Sequence, residues 1–142
     1  MKKIIGQFRW IYIFTAILVA VLVSVEPATA ASGMVGTWTT NSPNMTTARS
    51  FNAFATYNDY VYQMGGWNGS TGMSTVSHAK INTNGSVSAW TTSGNALPQP
   101  LRGAGGAAYN GHVYVVGGVD NSMGLLNTVY HAPLNGDGTV GT

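Results

Sequence analysis

Few side chains in this 142-residue chain have chemical reach. Arg49 and Arg102 each carry a planar guanidinium that can grip a carboxylate through two parallel N–H donors. Trp67 is followed by Asn68, Gly69 and Ser70, an aromatic face beside an amide in a turn-forming stretch. Such a pair suits contact with a sugar or a peptide when a rigid scaffold holds the loop. Asp120-Asn121-Ser122 is a second polar loop that could join the same site. These residue types point to ligand recognition rather than turnover. There is no cysteine, Glu26 lies near the N-terminus, and Asp59, Asp120 and Asp137 fall in turn-like contexts. No two carboxylates are spaced for acid–base work, and no Ser-His-Asp order carries a nucleophile motif. Three scattered histidines do not supply the three or four convergent ligands of a metal centre. No catalytic residue, metal or cofactor is therefore expected.

Recurrence sorts these candidates. The phrase Tyr57-Asn58-Asp59-Tyr60-Val61-Tyr62-Gln63-Met64-Gly65-Gly66 returns, about 52 residues on, as Tyr109-Asn110-Gly111-His112-Val113-Tyr114-Val115-Val116-Gly117-Gly118. Thr75-Val76-Ser77-His78-Ala79 returns as Thr128-Val129-Tyr130-His131-Ala132. Gly33 to Trp38 returns as Gly85 to Trp90, and a third opening begins at Gly138. A residue that recurs in every unit is explained by architecture, so His78 and His131 read as packing residues. Trp38 and Trp90 are expected to wedge between units as core. Arg49 and Arg102, read as a repeating pair, would hydrogen-bond a neighbouring unit's backbone. Trp67 does not recur, since Val119 takes its place.

The elements that must position these residues are strands. Each unit is expected to hold four short antiparallel strands: the first over about 50–57 and 103–109, the second over 60–64 and 112–116. The third covers about 74–81 and 127–134, and a fourth carries Val87 and Trp90 in the first unit. Asn58-Asp59 and Asn110-Gly111 are tight hairpin turns, because both central positions tolerate positive φ. The glycine pairs at 65–66 and 117–118 suit positive φ or a close backbone approach. No stretch beyond residue 30 shows the 3.6-residue apolar period of a helix. The fold class is all-β.

Residues 1–30 read as a signal peptide. Lys2, Lys3 and Arg9 precede an apolar run from Trp10 to Val25, and Ala28-Thr29-Ala30 has the small-x-small pattern of a cleavage site. The product is expected to be secreted, periplasmic or held at the cell surface, with membrane attachment only through an uncleaved leader. The formal charge of +2 belongs to that leader. Beyond it, Arg49, Lys80 and Arg102 balance Asp59, Asp120 and Asp137, so nothing favours nucleic acid.

The "VYVVGG" second strand, the "TVYHA" third strand and the Trp-bearing fourth, with arginines leading the first strands, resemble the Kelch repeat across residues 33–142. The resemblance implies β-propeller blades of four antiparallel strands: an outer strand at 33–40, a blade at 50–91 and an incomplete blade at 103–142. It places Arg49 and Arg102 near the channel end where propellers bind ligands. About two blades are present, against the four to eight a ring needs. The remaining blades are therefore expected from a longer chain, or alternatively from further copies of this one. The implied function is an extracellular binding module for glycan or protein ligands, through Trp67, Asn68, Arg49, Arg102 and Asp120. The alternatives are the N-terminal part of a carbohydrate-active enzyme, epimerase-like or oxidase-like, or a structural segment of an adhesin.

Overall fold

The computed structural model describes residues 35–142, which are all-β and contain no helix. The expected signal peptide lies outside the described residues. Two antiparallel sheets form. The first runs β1 (Ala53–Tyr57), β2 (Tyr60–Met64), β3 (Val76–Lys80) and β4 (Thr91–Thr92), in that spatial order. The second runs β5 (Gly105–Tyr109), β6 (His112–Val116) and β7 (Val129–Pro133).

Local chemistry accounts for each hairpin. Asn58 and Asp59 take φ of 45° and 62°, and Asn110 and Gly111 take 45° and 74°, so two-residue turns close Tyr57 on Tyr60 and Tyr109 on His112. This backbone twist matches that of the flanking strands. The glycine pair that ends β2 answers a steric demand. A Cβ on Gly65 would stand 2.7 Å from the Leu101 carbonyl oxygen, and one on Gly66 would stand 2.8 Å from that of Ser50.

The core lies between the two sheets. Ala53 and Ala55 of β1, Tyr62 and Met64 of β2, and Val76 of β3 meet Val113 and Val115 of β6, with Leu101 and Val140 closing the edges. β1 alternates cleanly, burying Ala53 and Ala55 while Phe54 and Thr56 are exposed. The first strands of the two sheets come very close. A Cβ on Gly106 would collide with the backbone of Phe54, so glycine sets the spacing there.

The outer edges depart from expectation. The fourth strand of the first sheet begins only after Trp90, and Val87 enters as a lone bridge to Ile81. The Lys80 amide donates to the Ser88 hydroxyl at 2.9 Å, so a side chain interrupts the ladder between bridge and strand. In the second sheet the outer element is reduced to the bridge between Leu134 and Val140.

The outer strand expected at 33–40 is not formed over residues 35–40. An outer strand needs a third strand to pair with, and residues 35–40 pair neither with β3, which holds β4, nor with β7, the edge of its sheet. Trp38 is accordingly 89% exposed rather than core, which corrects the expectation for it. Trp90 is half-buried in a cleft with Asn41, Pro43 and Met45.

Side-chain amides and hydroxyls take the place of missing strands. Asn41 Nδ2 donates to the Val87 carbonyl at 3.2 Å while its Oδ1 accepts from the Val87 amide at 2.8 Å. One unit later Asn95 donates to the Gly141 carbonyl, and the Val140 amide donates to the Ser93 hydroxyl at 3.4 Å.

Candidate functional site

Trp67 and Arg102 meet across the two sheets. Trp67 sits just past the Gly65-Gly66 pair, bridged to Ser50 on one side and Gly72 on the other. Arg102 is bridged to Val119 at the corresponding place in the second sheet, as it enters β5. Its guanidinium carbon lies 4.3 Å from the centre of the Trp67 ring, a cation–π stack. Its Nη2 also meets the Met123 sulfur.

The loops around this stack are internally braced. Asn68 Oδ1 accepts from the amides of Ser70 at 3.0 Å and Thr71 at 2.9 Å, shaping the 67–72 loop. Asp120 Oδ1 accepts from the amides of Ser122 and Gly124, both at 2.8 Å, and shapes the second loop in the same way. The two loops are tied together where the Gly72 amide donates to Asn121 Oδ1 at 2.7 Å. Met123, at the tip of the second loop, holds a φ of 65°, unusual for a side-chain-bearing residue.

This bracing divides the sequence candidates. Trp67 and Arg102 are brought face to face, with the Asp120 loop alongside. The hydrogen bonds of Asp120 Oδ1 are spent on its own loop, as are those of Asn68 Oδ1, so both shape the site. The Asn68 amide nitrogen keeps its donors for a ligand. Arg102 has an indole and a thioether for neighbours, and sulfur is a weak acceptor.

Arg49 stands apart from this group. Its Nη1 donates to the Gly65 carbonyl at 3.2 Å and to the Thr75 hydroxyl at 2.9 Å, and burial pushes its pKa down. Its Nε is buried without a hydrogen-bond partner. Arg49 and Arg102 are not equivalent. The bridges Ser50–Trp67 and Arg102–Val119 align Ser50 with Arg102, which aligns Arg49 with the fully buried Leu101. Arg102 therefore belongs with Trp67 among the residues that do not recur.

The histidine positions behave as a repeat. His78 is buried between Tyr60 and Tyr62, with ring centroids 5.9 and 6.2 Å away, and its Nδ1 is 3.2 Å from the Ser93 hydroxyl. His112, Tyr114 and His131 form the same aromatic group in the second sheet, His112–His131 at 6.0 Å and Tyr114–His131 at 6.0 Å. Among the described residues, no group of three or more His, Cys, Asp or Glu side chains could hold a metal ion.

Two features of this site escape sequence reasoning. Met123 carries no signal, because a lone methionine in a polar loop has no motif. The Arg102–Trp67 stack joins residues from different repeats, and its only hint is that Trp67 has no counterpart. No family model matches the chain, and no curated protein matches it.

Proposed function

We propose that this chain is part of an exported Kelch-type β-propeller that binds acidic glycans at the loop face carrying Trp67 and Arg102. The propeller reading draws support from the two similar sheets, whose first strands pack together at corresponding residues, Phe54 and Gly106. Further blades come from a longer chain, and assembly from copies of this one is the alternative. Export follows from the N-terminal reading.

The single observation that carries the binding reading is the stack of Arg102 on Trp67. The indole pre-positions the guanidinium at modest entropic cost, and its N–H donors face a sulfur rather than a carboxylate. A sugar carboxylate offers the bidentate acceptor that the arginine lacks, and the Asn68 amide nitrogen in the Trp67 loop is a donor for a sugar hydroxyl.

The test is titration of the full chain with a panel of uronate-containing and neutral oligosaccharides, followed by calorimetry. Binding of the uronate series, weakened at least about tenfold by Arg102→Ala or Trp67→Ala in protein that still melts cooperatively, supports the reading. Uronate binding that survives both substitutions, or capture of protein ligands alone, overturns it.

A further inference from the structure

The residue facing Arg102 from the second loop is a thioether, and its setting is unusual in three ways. Met123 is 69% exposed, whereas Met64 is fully buried and Met45 and Met73 are half-buried. Its backbone is held at positive φ. Its sulfur is pinned against Arg102 by a loop that Asp120 braces and Asn121 ties to the neighbouring sheet.

From this geometry we propose that Met123 is a peroxide-sensitive modification site whose sulfoxide captures Arg102 and closes the anion site; the functional consequence rests on the binding reading above. In the step, a sulfur lone pair attacks one oxygen of hydrogen peroxide and the O–O bond breaks. That oxygen stays on sulfur, and the departing hydroxide takes the proton that the transferred oxygen carried and leaves as water. The thioether is oxidised by two electrons and the peroxide is reduced. Exposure makes Met123 the first methionine an oxidant meets in the described part of the chain, and its product is polar and reversible by methionine sulfoxide reductases. The chemical change is local and large. A thioether accepts a hydrogen bond weakly, while a sulfoxide oxygen carries concentrated negative charge and accepts strongly from a guanidinium. Bonded there, Arg102 loses the donors that a carboxylate would use, and the stack on Trp67 is locked.

The experiment treats the full chain with graded hydrogen peroxide and follows each methionine by peptide mass spectrometry. In parallel, hydrogen exchange of the Arg102 guanidinium is read by NMR, with the Arg102→Lys variant used for assignment. The expected result is oxidation of Met123 at least about tenfold faster than of Met64 or Met73. Slowed guanidinium exchange should appear in the oxidised protein, return to its starting rate after sulfoxide reductase treatment, and be absent in Met123→Leu. Met123 oxidising no faster than Met45 and Met73 overturns the proposal. So does Arg102 exchange that ignores the oxidation state of wild-type protein, a readout that does not depend on how the leucine variant folds. Loss of uronate binding in every form, with both chemical readouts intact, counts against the glycan reading and leaves the modification site standing.

Discussion

The guanidinium of Arg102 lies 4.3 Å from the Trp67 ring centre, joining the entrance of the second sheet to the loop that leaves the first. The contact crosses between sheets, so it contributes to their docking. A double-mutant cycle of Trp67→Ala and Arg102→Ala, read by urea denaturation, should give a coupling of about 0.5–1 kcal/mol, the range for a solvent-accessible cation–π pair. A coupling of zero would mean that the stack adds nothing to docking.

Two corresponding threonines should respond with opposite sign. Thr75 accepts a hydrogen bond from Arg49 at 2.9 Å, whereas the hydroxyl of its counterpart Thr128 is buried without a partner. The difference follows from the residue in Arg49's place, Leu101, which has no side-chain donor. Thr128→Val should be neutral or stabilising by about 1 kcal/mol, and Thr75→Val destabilising by about 1 kcal/mol, because it leaves the half-buried Arg49 Nη1 with only the Gly65 carbonyl. Paired chemical denaturation curves decide it, and two losses of equal size would contradict the assignment.

Neighbouring glycines in β5 offer a sharper contrast. The Cβ of Gly106→Ala collides with the Phe54 backbone, while that of Gly105→Ala has Val116 oxygen as its nearest neighbour, at 3.9 Å. The first substitution should cost about 1–3 kcal/mol, as overpacking does, and the second should be close to neutral. Thermal melts of the two variants separate the sheet spacing from a general dislike of alanine in the strand.

Stability should fall at both ends of the pH scale. Burial pushes the His78 pKa down, against a smaller upward pull from Asp137. Over the interval below the ordinary value of about 6.5, the unfolded chain therefore binds a proton that the folded one refuses. Stability present above that value is lost as pH falls through the folded value. Asp137 acts in the same direction at lower pH, its carboxyl held down by the Thr139 hydroxyl and then by the Thr139 amide. Tyr62 acts at the other end. Burial first, then Tyr60 and Asp137, push it up to about 12, so stability declines as pH rises from about 10 toward that value. Urea melts from about pH 4 to about pH 11 should show both slopes, with His78→Gln flattening the acidic one and Tyr62→Phe the alkaline one. An unchanged acidic slope in His78→Gln would remove the histidine from this account.

Much of this architecture is legible in the sequence because its signals are local. Asn58-Asp59 and Asn110-Gly111 need only turn chemistry, and the aromatic and β-branched residues of 60–64 and 112–116 need only a pleated sheet to join. Elements that depend on a partner strand are not legible. Trp38 looks like Trp90 in sequence, yet only the stretch following Trp90 pairs with a third strand. The arginines mislead for a different reason. The offset between units is about 52 residues before the long loop and 53 after it, so similarity alone leaves room for a one-residue slip. The bridges to Trp67 and Val119 resolve the slip and set Arg102 opposite Ser50 rather than Arg49.

The pair of hydrogen bonds between Asn41 and Val87 has a consequence for solubility. A carboxamide presents one donor and one acceptor, the same complement as a peptide group, so Asn41 impersonates a single rung of a neighbouring strand. That rung occupies the position where a foreign peptide would begin to zip onto the sheet margin. One side chain thus plugs the Val87 rung of that margin without a further strand.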